Sequence, residues 1–181
     1  MAEFLDEKNA ELPDGNPAKK LKARCVFLGD RVTDEGYVQA LFTARASAPA
    51  AIEAARSVDA YACISDHDAE QSDVTSAYTQ AFLSGTETWI ALPPERWPKH
   101  WTGRYRAPVV RLILNIYGHP EAGKIWEDTF EKHALECGFE KLASMRSCFL
   151  HRSLRVFMVV YVDDIKIVGT AAGRKKRWTC S

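Results

Sequence analysis

The sequence predicts an α+β fold: an antiparallel sheet with helices packed on one face. Three observations carry this. Apolar runs rich in β-branched and aromatic residues recur at strand length, most clearly over residues 156–162 and 165–169. Residues 121–137 instead place apolar side chains three and four apart, the period of a helix. Helical and strand-like stretches also fail to alternate strictly, which argues against a parallel β-α-β sheet.

Taken in order, residues 1–18 are acidic and interrupted by Pro13, Gly15 and Pro17, the pattern of a flexible lead-in. From residue 19 basic and apolar residues mix, and a short strand ends at Gly29. Residues 30–45, with Asp34 and Gly36 as turn formers, form a second strand or a loop. Ser47 then caps an alanine-rich helix over 50–62, with Pro49 in its first turn, where a missing N–H does no harm. Asp66, Asp68 and Glu70 lie in a polar stretch that reads as loop, and a short strand at Glu70-Gln71-Ser72 ends at Asp73.

A second helix is expected over 75–83, capped by Thr75 or Ser76 and stopped before Gly85. Residues 88–92 are strand-like and end at Pro93-Pro94. The clearest helix follows at 121–137. Its inner face holds Ala122, Ile125, Trp126, Thr129, Phe130, His133, Ala134 and Cys137, and Gly138 closes it. Strands at 148–150 and over the two apolar runs complete the fold. The chain thus divides into a lead-in over 1–18, one domain over 19–170 and a basic tail over 171–181.

Bulk composition excludes several classes. The chain has 181 residues, 46% hydrophobic and 27% charged, with a formal net charge of zero, so whole-molecule electrostatics does not draw it to nucleic acid or anionic membrane. No apolar run reaches membrane-spanning length, and the first residues lack the pattern of a secretory signal. The expected location is intracellular, not secreted. Cys25, Cys63, Cys137, Cys148 and Cys180 are scattered, which argues against a zinc ribbon or redox pair and for reduced thiols, mostly as small core residues.

The chemistry concentrates at Tyr161-Val162-Asp163-Asp164, where two apolar strands meet and two carboxylates sit at the tip of the turn. Two like charges side by side are unfavourable without a cation nearby, so a divalent metal is one reading and a solvated turn the other. A metal pair serving phosphoryl transfer needs an acid from a second segment, and Asp73, at the end of a strand, supplies it. A separate cluster, Arg96, Lys99, Arg104, Arg106 and Arg111 interleaved with Trp97, Trp101 and Tyr105, suits either a nucleic-acid backbone with stacked bases or a solvated loop.

These segments resemble the copia-type long-terminal-repeat retrotransposon reverse transcriptases. The paired acids with their apolar flanks are similar to that family's catalytic hairpin. Asp73-Val74-Thr75-Ser76-Ala77-Tyr78 with Phe82-Leu83-Ser84-Gly85 resembles its first catalytic segment. Trp89-Ile90-Ala91-Leu92-Pro93, Leu114-Asn115-Ile116-Tyr117-Gly118 with Trp126, and Lys22-Ala23-Arg24-Cys25-Val26 match further segments in the family's order. The resemblance implies the fingers and palm of a right-hand polymerase, with the thumb absent.

It also implies roles. Asp73, Asp163 and Asp164, with the Val74 carbonyl, would hold two Mg²⁺ ions (or Mn²⁺), one activating a primer 3′-hydroxyl and the other neutralising the triphosphate. Tyr78 would exclude a ribose 2′-hydroxyl, Lys22 and Arg24 would meet the triphosphate, and Tyr117 and Gly118 would pack near nucleotide and template. The implied partners are an RNA or DNA template with primer and deoxynucleoside triphosphates, in a cytoplasmic particle or the nucleus. Each residue has a plainer reading: core packing for Tyr78 and Trp126, an exposed strand for Lys22 and Arg24, a turn for Tyr117-Gly118.

The chain departs from the family at His119-Pro120-Glu121-Ala122-Gly123, where a leucine, lysine, glutamine, alanine, proline series is usual. The thumb, ribonuclease H and integrase of a full polyprotein are not expected within this chain. The alternative to a polymerase domain is therefore an inactive retroelement remnant that keeps nucleic-acid binding or no activity.

Overall fold

The structure is a computed structural model that describes residues 1–40, 42 and 50–176. Its centre is a five-stranded antiparallel sheet in the order β3-β9-β8-β7-β6, with β3 at His67–Asp73, β6 at Glu140–Lys141, β7 at Cys148–His151, β8 at Val156–Tyr161 and β9 at Asp164–Thr170. The strand β8 is buried along nearly its whole length. That explains why it reads as a continuous apolar run rather than an alternating one.

Burial on both sides of β8 requires cover on both sides. The helix α2 (Ala122–Glu136) packs Ile125, Trp126, Phe130 and Ala134 against Phe149, Val156, Met158, Val160, Ile165 and Ile167. On the opposite face, α1 (Ile52–Ala62) packs Ala54 and Val58 against Cys148, Phe157, Val159 and Val168. The period-2 alternation of strand residues sorts them cleanly between the two cores. The expectation of helices on one face is thus corrected: the sheet has a helix on each. Along α2, the predicted face holds except at Thr129 and His133, which are exposed.

Several local expectations also change. Residues 2–8, expected in a flexible lead-in, form β1 (Ala2–Lys8), which pairs antiparallel with β2 (Lys20–Val26). Across this hairpin Asp6 lies opposite Lys22, while Glu3 and Glu7 lie opposite Cys25 and Leu21. The polar stretch read as loop is the first half of β3, whose Asp68 and Glu70 are bridged by Arg174 of the short helix α3 (Ala171–Lys176). The first six residues of the expected basic tail are therefore helical. The expected caps Ser47 and Pro49 lie outside the described residues, and α1 starts at Ile52.

The expected helix over 75–83 is only a 3₁₀ turn at Ala77–Gln80. Two effects defeat it. Ser76 takes a left-handed conformation (φ 54°) at the entry. Beyond the turn the backbone bonds elsewhere: Asn115 N–H donates to Ala81 O and Leu83 N–H to Ile113 O, at 2.9 and 2.8 Å. Tertiary pairing thus overrides helix propensity. Finally, β4 (Trp89–Ala91) pairs with β5 (Val109–Arg111) as a separate two-stranded ribbon. Of the thiols, Cys148 is buried and Cys25 and Cys63 are exposed, and all three are free.

Candidate active site

The acids converge where β3, β8 and β9 end. In the antiparallel ladder, Asp73 is the direct partner of Asp164, and Asp164 is in turn the partner of Tyr161. Side chains at directly paired positions leave the sheet on the same face with Cβ atoms about 5 Å apart. Asp163 occupies the two-residue turn between β8 and β9, and its carbonyl accepts a hydrogen bond from Val74 N–H at 2.8 Å. So the segment after Asp73 is pinned by backbone to the hairpin apex. The Val74 carbonyl accepts no hydrogen bond among the described residues.

The turn itself is strained. Val162, a β-branched residue, sits at φ 57°, a conformation such residues adopt only where surrounding structure imposes it. The two-residue connection between β8 and β9 requires it, because such hairpin turns need a positive φ at their first position, and the Trp126 Nε1–H donates to the Val162 carbonyl at 2.6 Å. The hairpin apex is therefore held by Trp126 on one side and Val74 on the other. This role of Trp126 was not legible in the sequence, where a buried tryptophan on an amphipathic helix reads only as core.

Two tyrosines stand over the acids. The Tyr78 and Tyr117 rings lie 4.8 Å apart, tilted by 55°. Burial and then the Asp163 carboxylate push the Tyr78 phenol up. Burial, Asp163 and Asp73 do the same for Tyr117, while Arg24 opposes them. These couplings bring Tyr78, Tyr117, Arg24, Asp73 and Asp163 into one electrostatic neighbourhood. Lys22, two residues before Arg24 on β2, is exposed and has no ion pair among the described residues.

Gly118 has a packing role. At φ 84°, a Cβ there would collide with the Phe27 carbonyl and the Val26 side chain, so glycine is what lets β2 approach Tyr117, whose carbonyl accepts from Phe27 N–H at 2.7 Å. Beside it, Asn115 is fully buried: its Nδ2–H donates to Ala122 O and its Oδ1 accepts from Ile116 N–H, each at 2.9 Å. It ties the tyrosine segment to the start of α2. A lone Asn in the apolar run Leu112-Ile113-Leu114-Asn115-Ile116 is the sequence signal that marks it.

Ion pairs engage two members of the basic cluster, Arg96 and Arg111. Arg96 donates through Nε and Nη2, one edge of its guanidinium, to the two carboxylate oxygens of Glu3 of β1, and Arg111 pairs with Glu87. Lys99, Arg104 and Arg106 are exposed with no ion pair among the described residues, and the Arg104 guanidinium lies 5.4 Å from the Tyr105 ring centroid.

The hard oxygens of Asp73, Asp163 and Asp164, with the free Val74 carbonyl, are of the type that suits Mg²⁺ or Mn²⁺. Among the described residues, no three His, Cys, Asp or Glu side chains close on a single point. An open arrangement of this kind fits an ion that takes one or two carboxylates and completes its shell with substrate phosphates and water.

Residues 9–177 match the model of the reverse transcriptase (RNA-dependent DNA polymerase) family. The chain belongs to that family. It is also similar to a retrovirus-related Pol polyprotein from transposon RE2 of Arabidopsis thaliana, at 33% identity over 102 residues, 55% of this chain and 7% of that protein. The matched region is thus a small part of that relative's length. No solved structure matches. Among the described residues, no helix is long and apolar enough to cross a membrane.

Proposed function

We propose that this chain carries the nucleotidyl-transfer centre of an RNA-directed DNA polymerase, in a fingers-and-palm arrangement, as one segment of a longer retrotransposon polyprotein. The observation that carries the reading is the register that sets Asp73 opposite Asp164, with Asp163 tied to Val74. Family membership supports it.

In this reading the primer 3′ end lies against Asp73, Asp163 and Asp164, which with the Val74 carbonyl would hold two Mg²⁺ or Mn²⁺ ions. Those ions, when bound, lower the pKa of the attacking hydroxyl and offset charge on the leaving pyrophosphate. Tyr78, half-buried against Tyr117, presents a ring wall that a 2′-hydroxyl on the sugar would strike. Arg24 is placed to meet triphosphate oxygens, which its fork binds in pairs, and Lys22 adds a point charge on the same strand. The substrates are then deoxynucleoside triphosphates and a primed RNA or DNA template. The remaining functions of such a polyprotein, including thumb, ribonuclease H and integrase, belong to other segments.

The test is magnesium-dependent primer extension on a homopolymer template. Extension by the chain should fall by at least about 10³-fold in Asp163→Asn and Asp73→Asn, as for loss of a transition-state charge ligand. Equal extension by Asp163→Asn and the unaltered chain would sink the proposal. Template binding without extension would support the binding-only remnant instead.

A further inference from the structure

We propose that the loop joining β4 to β5 is a docking surface for single-stranded nucleic acid, one that does not include the carboxylates. This deepens the polymerase reading and rests on it only for calling the bound strand a template. From Arg96 to Pro120 the chain has no Asp or Glu, while five Lys and Arg residues fall between 96 and 111. The outer two are answered, Arg96 by Glu3 and Arg111 by Glu87. The inner three, Lys99, Arg104 and Arg106, are exposed with no ion pair among the described residues. On a chain of zero formal net charge this is a local positive patch that attracts a polyanion.

The rings decide which polyanion. Tyr105 is 45% exposed between Arg104 and Arg106, and the Arg104 guanidinium lies 5.4 Å from its ring centroid. Trp101 meets the same ring edge-on, 6.0 Å away at 81°. The loop's own bonds fix this arrangement. Trp101 N–H donates to Pro98 O at 2.9 Å, and the Arg104 and Tyr105 N–H groups donate to Trp101 O at 3.0 and 3.2 Å. At the loop's entry the Trp97 indole N–H donates to Leu92 O at 2.8 Å. A ring held beside forked cations needs little further ordering on binding. An unpaired base can stack on such a ring while its phosphates meet Arg104 and Arg106. Bases in a duplex are already stacked on one another, and Asp or Glu side chains of an acidic peptide have no π-face.

The test uses the whole chain in EDTA, so that neither metal nor extension contributes. A fluorescent oligothymidylate of about a dozen nucleotides is titrated by anisotropy from about 50 to 200 mM salt, beside a duplex of equal length and poly-glutamate. Replacing Lys99, Arg104 and Arg106 together by Gln should reduce the slope of log affinity against log salt by about 2, at roughly 0.7 per phosphate contact. Tyr105→Ala should weaken the single strand at least about fivefold and leave the duplex unchanged. Tyr105→Phe, which keeps the ring, should match the unaltered chain. All four positions are exposed, and circular dichroism checks the fold of each variant. An unaltered salt slope in the triple variant overturns the proposal, as does full single-strand affinity in Tyr105→Ala. Poly-glutamate bound as tightly as the oligonucleotide would do the same. Lost extension with intact strand binding counts against the polymerase reading alone.

Discussion

At the scale of single residues, the least expected feature is the buried His119. Its Nδ1 accepts from Glu121 N–H at 3.2 Å, so the proton sits on Nε2 and is donated to Thr88 Oγ1 at 3.0 Å. The Thr88 hydroxyl in turn donates to Thr86 O. Both ring nitrogens are used by the neutral form, and Phe27 packs 5.3 Å from the ring. Burial lowers the His119 pKa, with Glu121 opposing more weakly. The unfolded chain therefore binds this proton more readily than the native protein. Stability is full above the ordinary histidine value of 6.5 and declines as pH falls below it toward the depressed native value. Urea midpoints measured from pH 7.5 down to 5.5 should fall for the unaltered chain and fall less steeply for His119→Gln. Parallel slopes would contradict the assignment. In the sequence, His119 was visible only as a departure from a family pattern. Its burial depends on β4 and Phe27, which no local pattern connects to it.

At the scale of elements, the β8–β9 hairpin was legible because burial on both faces writes itself as an unbroken apolar run, and α2 because a helix with one buried face writes its period. What failed was the segment after Asp73 and the first half of β3. The sequence 75–83 has helical composition, yet its backbone groups bond to the Ile113–Asn115 strand-like segment; β3 is a polar edge strand, and its charges are answered by Arg174, 104 and 106 residues away. Contacts at that sequence separation leave no local trace. The three acids were identified from strand ends, but the Trp126 bond that holds their turn was not. Trp126→Phe tests that bond while keeping most of the ring packing. Removing the donor leaves the Val162 carbonyl without its partner and should cost about 1–2 kcal/mol. The strained turn should relax, and extension should drop more than stability does. A Trp126→Phe variant that keeps full extension while losing the expected stability would assign the bond to folding alone.

At the scale of the molecule, the β1–β2 hairpin meets the rest of the protein at few points, and a two-stranded ribbon alone is marginal in water. Its ties are the Phe27 N–H to Tyr117 carbonyl bond at 2.7 Å, the close approach at Gly118, and the Arg96–Glu3 pair. The Arg96–Glu3 pair is exposed on both sides, so it adds little. Orientation of β2, and with it of Arg24 relative to Tyr117, then rests on the Gly118 contact. Gly118→Ala introduces a Cβ against the Phe27 carbonyl at a positive φ, combining backbone strain with overpacking. The expected cost is about 2–4 kcal/mol. Because the clash falls on the tie rather than on the sheet, amide exchange should quicken first at Phe27 and along β1–β2, while β7, β8 and β9 keep their protection. The raised Tyr117 phenol should fall less sensitive to Arg24 as β2 moves away, which a spectrophotometric tyrosine titration reads directly. Uniform loss of protection across the sheet would show instead that Gly118 supports the whole core, and that β2 is not separately hinged on it.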